Sequence, residues 1–244
     1  MARVYIHEFV DVVGTKRSLY QQHMTANWVP EAGPLRRQRC FGVFSLVGST
    51  GRWPQVVNIW EYDNWGDLAH NFSVELSGPG HRDPMLEKWW AEAAAFRTGG
   101  VDRILVGHEG NPGIEELESN GGTDAVAYIH EIITTPPGGA SEVCAIVNRV
   151  AVSDHAEYGF RLVGIWRTAM RANDEVILLW SIPDWDSWAS FESDLDSENR
   201  GVMNHRRSLS GKVVSRERVL LVDAEFSPLR TGRQPQESDR RPLE

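Results

Sequence analysis

One short segment occurs twice in this sequence, and that internal repeat constrains the fold more than any other feature. Tyr5-Ile6-His7-Glu8 returns unchanged as Tyr128-Ile129-His130-Glu131. Further pairs follow in the same order, with a spacing that shrinks in small steps: Gly42/Gly164, Trp60/Trp180, Trp65/Trp185 and Arg103/Arg218. Chance matches would not keep this order, so the pattern predicts a tandem duplication of one domain.

The duplication divides the chain into two copies. The length of 244 residues suits two domains of roughly 100 to 120 residues, each large enough to bury a core. We place copy one at residues 1–108, an acidic glycine-containing linker at 109–124 and copy two at 125–226. Residues 227–244, rich in Arg, Pro and Gln, have no periodic apolar pattern and are predicted to be a disordered tail.

Both copies show the same order of elements: strand, helix, strand, strand, helix, strand. The predicted strands cover 4–13, 41–47, 55–62 and 101–106, and then 125–133, 160–167, 175–182 and 218–222. This is the βαββαβ order of a ferredoxin-like domain, which has helices on one sheet face only. Strand 175–182 is apolar on both faces, so a second layer must cover the face without helices. We predict an α+β fold in which the antiparallel sheets of two tandem ferredoxin-like domains pack into a barrel within one chain.

Composition excludes several classes of function and location. The formal net charge is −9 and no basic stripe lies outside the tail, which argues against a nucleic-acid partner. No apolar run approaches the roughly 20 residues of a membrane helix, and no signal peptide precedes the first strand. Two cysteines make no disulfide framework, so we expect a cytoplasmic protein.

One segment of copy one resembles a known family. Gln55-Val56-Val57-Asn58-Ile59-Trp60-Glu61-Tyr62-Asp63, with Tyr5 before it, Gly42 in the second strand, Asp83-Pro84 and Arg103-Ile104-Leu105 after it, is similar to the NIPSNAP signature. The likeness covers copy one and is weaker in copy two. It implies the dimeric α+β barrel group, which includes cofactor-free monooxygenases, isomerases, heme proteins and members without known activity. The family often has His where this chain has Asn58.

Differences between the copies indicate where a ligand would bind. The first helix of copy one has Tyr20 and His23 where the equivalent helix of copy two has a stripe of Val and Ile. The third strand of copy one has Asn58 and Glu61 where copy two has Leu178 and Ser181. Unpaired polar groups in a core are costly, so their presence in one copy predicts a cavity there. The candidate catalytic residues are His7, His23, Asn58 and Glu61. The candidate substrate-binding residues are Tyr5, Tyr20, Trp28, Trp60 and Tyr62.

The favoured function is a cofactor-independent acid/base enzyme acting on a small apolar or aromatic metabolite. His7, His23 or Glu61 would move a proton and Asn58 would hold a carbonyl or enolate oxygen, as in an isomerase, cyclase, lyase or monooxygenase-like enzyme. No metal is expected, because no HExxH or CxxC spacing occurs. Alternatively, the polar side chains face solvent, and His7 with His130 are core histidines that hydrogen-bond within the protein.

Two other functions remain open. A carrier of heme or another hydrophobic ligand would need an axial histidine, for which copy one offers His7, His23, His70 and His81. A non-catalytic NIPSNAP-like adaptor would use the acidic linker and the tail as contact segments. In each case we expect any homodimer to use the outer helices, where Trp90 and Trp188 add apolar surface.

Overall fold

The structure is a computed structural model that describes residues 2–198 and 203–243. Its strands are β1 (Val4–Val12), β2 (Arg39–Leu46), β3 (Gln55–Tyr62), β4 (Arg97–Gly107), β5 (Ala127–Thr134), β6 (Arg161–Thr168), β7 (Glu175–Ile182) and β8 (Ser215–Asp223). Its α-helices are α1 (Arg17–Gln22), α2 (Val29–Arg36), α3 (Trp65–Glu75), α4 (Pro84–Ala93), α5 (Ile114–Ser119), α6 (Ala140–Ile146), α7 (Val152–Ala156), α8 (Trp185–Asp196), α9 (Asn204–Ser208) and α10 (Pro228–Thr231).

The eight strands form one sheet that closes on itself. They are hydrogen-bonded in the order β1-β3-β2-β8-β5-β7-β6-β4, and the sheet is a closed barrel. This order confirms the predicted α+β barrel. The sequence also predicts some element bounds well, since the predicted strands 55–62 and 175–182 have the same bounds as β3 and β7.

Unit one is a compact body made of residues up to Ile104, Gly113–Thr123 and the residues from Val222 onward. β1 pairs with β3 from Val4↔Tyr62 to Asp11↔Gln55, and β2 pairs with the other edge of β3. Alternate residues of these strands form a core with the helices of the unit. That core includes Val10, Val56, Trp60, Met24, Leu68, Leu86 and Trp89. One face of the unit-one strands is therefore covered by α1 to α4.

Unit two is a second compact body made of Leu105–Pro112 and Asp124–Leu221. β5 lies between β7 and β8, and β6 pairs with β7 and with the end of β4. Every residue of β7 is buried. This strand was predicted to be covered on both faces, and its burial pattern agrees.

Two glycines allow a similar irregularity in both units. The register between β2 and β3 shifts between Cys40 and Gly42, and that between β6 and β7 shifts between Leu162 and Gly164. A Cβ atom on Gly42 would overlap the ring of Phe44, and one on Gly164 would overlap the ring of Trp166. Only glycine lets the aromatic ring two residues later fold back over the bulged strand.

The structure differs from the sequence prediction at the linker and at the tail. Within 109–124, α5 begins at Ile114, which is fully buried and donates its backbone N–H to Glu61. Within 227–243, Leu229 is fully buried and the Gln234 amide hydrogen-bonds to the backbone of β2. Few apolar residues are present in either segment, but those few reach the core of unit one, so the segments are ordered.

Among residues 2–198 and 203–243, no helix combines the length and the apolar character needed to cross a membrane. No group of three or more His, Cys, Asp and Glu side chains within the same ranges has an arrangement that could hold a metal ion.

Candidate functional site

A buried hydrogen-bond network joins β1 and β3 on the face that packs against the helices. Glu8 is the direct cross-strand neighbour of Asn58, and Ile6 is that of Trp60. The Oε2 atom of Glu8 accepts hydrogen bonds from Asn58 Nδ2 at 2.9 Å and from Trp60 Nε1 at 2.8 Å. The Oε1 atom has no hydrogen-bond partner among residues 2–198 and 203–243, and Glu8 keeps part of its surface exposed. One carboxylate oxygen is thus anchored while the other is open.

Tyr20 of α1 completes this network from the helical side. Its hydroxyl oxygen accepts a hydrogen bond from Asn58 Nδ2 at 3.1 Å, and the Arg97 guanidinium is near enough to interact with it electrostatically. Burial is the main cause, and the nearby Glu8 charge the second, of a pKa for Tyr20 well above its usual value. The phenol therefore keeps its proton, and since its oxygen accepts the hydrogen bond from Asn58, the proton can be donated to another group.

The electrostatics of the network favour a carboxyl group that exchanges protons. Burial, followed by the charge of Asp102, raises the pKa of Glu8, while the hydrogen bonds from Trp60 and Asn58 and the charge of Arg97 lower it. The Arg97 guanidinium lies over the ring of Trp90, 3.1 Å from the ring centroid. A carboxylate with a raised pKa next to a protonated phenol and a guanidinium is a combination typical of acid/base sites.

Copy two lacks the same network although it keeps the equivalent glutamate. The cross-strand neighbour of Glu131 is Leu178, which has no amide to donate. Trp180 Nε1 has no hydrogen-bond partner among the residues that the structure describes, and Glu131 lies 3.8 Å from the guanidinium of Arg216. A glutamate with one oxygen held by two N–H donors and the other oxygen free is therefore found in copy one and not at the equivalent position of copy two.

Unit two has a different buried polar cluster, which its Val and Ile stripe did not predict. The His155 ring stacks on Trp180 at 4.0 Å, and its Nδ1 atom hydrogen-bonds to the Ala151 carbonyl. Asp154 accepts a hydrogen bond from the backbone N–H of His205 at 2.8 Å. Burial lowers the pKa of both histidines, that of His205 to about 3. Both are neutral at neutral pH and act as core groups.

His23 and Trp28 lie at a second place in unit one, in a cavity of about 270 Å³. The His23 ring stacks on Trp89 with 4.5 Å between ring centroids, and its Nε2–H donates to the Trp89 carbonyl at 3.2 Å. Burial lowers the pKa of His23, so the ring is neutral at neutral pH. Trp28 donates its own indole N–H to Gln38.

Tyr5, His7 and Glu61 lie on the other face of the same strands. Tyr5 is the cross-strand neighbour of Glu61 and hydrogen-bonds to it. Glu61 is fully buried, accepts the backbone N–H of Ile114 at 3.1 Å and faces Arg39 at 3.3 Å. Although burial raises its pKa, this carboxylate has the contacts of a residue that joins α5 to β3.

The nine residues predicted from the sequence therefore lie at several places, not in one pocket. Tyr20, Asn58 and Trp60 are brought together around Glu8, whereas His23 and Trp28 share the cavity beside Trp89. Tyr62 accepts a hydrogen bond from the Gln38 amide at 2.6 Å and belongs to the unit-one core. His7 is fully buried on the opposite face, next to the ring of Phe9.

Sequence reasoning missed Glu8, Arg97 and Asp102 as site residues. Glu8 directly follows His7 in β1, so the two side chains lie on opposite faces of the sheet. The cross-strand partner of Glu8 depends on the register between β1 and β3, which lie about 50 residues apart along the chain. A comparison of Asn58 with Leu178 was the available signal, because a buried amide needs a partner.

His23 and His70 do not have the surroundings of an axial heme ligand. His23 already uses Nε2 on a backbone carbonyl and lies flat against Trp89. His70 is half-buried and hydrogen-bonds to the Leu35 carbonyl, and His81 is exposed. An axial ligand needs a ring nitrogen that points into a cavity of porphyrin size.

Comparisons with known proteins find likeness in fold and little likeness in sequence. No family model matches the chain, and no curated protein is similar enough to count as a relative. An anthrone oxidase-like protein shares 10% identity over 91% of both chains, with a TM-score of 0.62. A candidate monooxygenase from Lactobacillus acidophilus NCFM shares 10% over 97% of both chains, at a TM-score of 0.59. These likenesses show the α+β barrel fold alone.

The NIPSNAP resemblance is not confirmed by these comparisons. A NIPSNAP domain protein from Burkholderia xenovorans shares 19% identity and aligns with 41% of this chain and 96% of its own, at a TM-score of 0.35. A structural likeness of that size says nothing about family membership.

Proposed function

We propose that copy one is a cofactor-independent enzyme that removes a proton from carbon in a small apolar or aromatic substrate. The observation that carries this proposal is the anchoring of Glu8: two N–H donors hold Oε2 and leave Oε1 open. A general base must be fixed in position and must have one free oxygen to accept the proton. Glu8 meets both conditions, and Glu131 in copy two does not.

The network around Glu8 supplies the other parts of the reaction. The Oε1 atom takes the proton from a C–H group that is next to a carbonyl or conjugated with one through an aromatic ring, and the electron pair of that bond is delocalised onto the carbonyl oxygen. The resulting enolate oxygen accepts a hydrogen bond from the hydroxyl of Tyr20, with the positive charge of Arg97 nearby. Placing donors where negative charge develops is commonly the largest contribution to such catalysis.

The fate of the enolate defines the reaction class. If Glu8 returns the proton to another carbon, the enzyme is an isomerase. If the carbanion instead reacts with O₂, the resulting peroxide anion takes the proton back from Glu8, and the hydroperoxide then loses water to leave a ketone, which makes the enzyme an oxygenase. The printed names of the neighbours with the same fold, a candidate monooxygenase and an anthrone oxidase-like protein, favour the second route as a hypothesis.

An anthrone is a suitable test substrate, because its acidic CH₂ group lies in the same ring as a ketone. Under argon, we expect the wild-type protein to catalyse exchange of the CH₂ protons for deuterium, measured by NMR. In air, an oxygenase consumes one O₂ for each anthraquinone formed. Glu8→Gln should slow the exchange about 100-fold or more, as expected for loss of a general base.

Glu131→Gln is the matched control, since it makes the same change at the equivalent position of copy two. It should leave the exchange rate unchanged, and melting curves should show that both variants are folded. The proposal fails if Glu8→Gln exchanges as fast as the wild type. It also fails if the wild type accelerates exchange in neither an anthrone nor a cyclic diketone.

A further inference from the structure

The cavity that contains His23 and Trp28 has features of a binding site separate from the Glu8 network. Three aromatic rings form its floor, because Trp89 stacks on His23 and lies 4.9 Å from the Trp28 ring. All three side chains are more than nine-tenths buried. A volume of about 270 Å³ is slightly below the range of drug-sized pockets. The cavity therefore suits a small molecule with an apolar or flat body.

Two polar atoms of this floor lack hydrogen-bond partners. His23 donates its Nε2–H to the Trp89 carbonyl, so its Nδ1 atom is an acceptor. Neither this acceptor nor the indole N–H of Trp89 finds a partner within residues 2–198 and 203–243. Unpaired buried polar groups are rare and costly in native proteins. One orphan acceptor and one orphan donor on stacked rings point to a ligand that has both a donor and an acceptor.

The rim of the cavity provides one free charge of each sign. Lys88 and Glu92 lie one turn apart on α4, and neither forms an ion pair with another described residue. The other three charged residues on the rim are already paired. Arg240 contacts Glu31 at 3.4 Å, and Arg241 contacts Glu225 at 2.8 Å.

We propose that this cavity binds a free amino acid with an apolar or aromatic side chain, in its zwitterionic form. The ammonium group donates to Glu92 and to Nδ1 of His23, while the carboxylate accepts from Lys88 and from the Trp89 indole N–H. The side chain of the ligand packs on the aromatic floor next to Trp28. Each polar group of the ligand thereby meets one rim charge and one orphan atom, which satisfies all four.

The chemistry of His23 agrees with this arrangement. Burial lowers the pKa of the ring, so at neutral pH it is uncharged and can accept a hydrogen bond from an ammonium group. The cavity shares no lining residue with the Glu8 network, and the proposal does not depend on the function assigned to that network.

Isothermal titration calorimetry on the full-length protein tests the proposal with L-phenylalanine as the probe. We expect saturable binding with one site per chain. Hydrocinnamate lacks the ammonium group and phenethylamine lacks the carboxylate, so each should bind about tenfold more weakly or worse. The absence of saturable heat up to about 10 mM L-phenylalanine would overturn the proposal, as would equal affinity for hydrocinnamate.

Variants on the exposed face of α4 locate the site without disturbing the core. Lys88→Met and Glu92→Gln should each weaken L-phenylalanine binding about tenfold. Glu87→Gln on the same helix lines a different cavity and should bind as the wild type does. Glu8→Gln should also bind normally, which separates this site from the proposed catalytic one. Unchanged affinity in both Lys88→Met and Glu92→Gln would place the ligand elsewhere.

Discussion

Asn58 is the residue on which the copy-one network depends. Its single amide nitrogen donates to both Glu8 and Tyr20, and so it fixes the distance between a base and a phenol. Its own Oδ1 atom is buried without a partner among the described residues, which a substrate hydroxyl or a water molecule would satisfy. Copy two has Leu178 at this position, and there the glutamate is left beside an arginine.

Asn58→Leu should therefore change the pH dependence of the reaction as well as its rate. Proton abstraction requires ionised Glu8, so the rate rises as pH increases through the pKa of that group. Burial already raises this pKa and the Asn58 hydrogen bond opposes the rise, so losing the bond moves the rising limb to higher pH. We expect deuterium exchange to slow at least about tenfold at neutral pH.

The pH profile of exchange measures this effect, and Glu131→Gln in the other copy should keep the profile of the wild type. A merely structural role for Asn58 would lower the rate at every pH by the same factor. An unshifted profile would therefore contradict the link between the Asn58 amide and the basicity of Glu8.

At the scale of elements, the C-terminal segment completes unit one. At the β2 bulge, the side-chain amide of Gln234 donates to the Cys40 carbonyl at 2.8 Å and accepts the Cys40 N–H at 2.9 Å. Ser227 likewise accepts the N–H of Val43. These side chains supply hydrogen bonds to buried backbone groups of β2, which explains why a polar segment is ordered.

Gln234→Ala should lower the free energy of unfolding by about 1 to 3 kcal/mol, because it leaves both backbone groups of a fully buried residue without partners. Urea unfolding measures the change. Arg230→Ala in the same segment is the control, since Arg230 is exposed and its removal should change stability by less than about 0.5 kcal/mol. Equal stability of both variants would mean that the segment is detached in solution.

At the scale of the whole molecule, the two compact units do not coincide with the two halves of the sequence. Unit one takes chain from three separate ranges, and residues 105–112 belong to unit two. The repeat predicts a boundary near residue 108, but α5 and the C-terminal segment return to unit one beyond it. The predicted homodimer through outer helices stays a prediction.

A fragment of residues 1–108 tests this division. It lacks Ile114, whose backbone N–H donates a hydrogen bond to the buried Glu61. It also lacks the buried Leu229, and Gln234, which hydrogen-bonds to the backbone of β2. We expect it to be insoluble or associated and to show no cooperative melting, whereas the full chain melts cooperatively. Size-exclusion chromatography and circular dichroism report both properties. A stable monomeric fragment with a sharp transition would show that the later segments are not needed.

Local patterns in the sequence were sufficient for the elements and the fold class. The apolar, β-branched runs of β3 and β7 are made of neighbouring residues, and the repeat of Tyr5-Ile6-His7-Glu8 indicates the same element order twice. Each of these patterns lies within a short stretch of the chain. Strand positions and the α+β barrel were accordingly predictable.

Only the tertiary structure decided which side chains meet. Glu8 finds Asn58 through the register of two strands, and a shift by one residue would have turned every side chain of one strand to the other face. His23 meets Trp89 through the packing of two helices 66 residues apart in the chain. These contacts depend on the simultaneous burial of many groups, and no short segment contains that information. For the same reason the sequence indicated Tyr20, Asn58 and Trp60 as polar or aromatic members of a site, while the base that they surround became visible only in three dimensions.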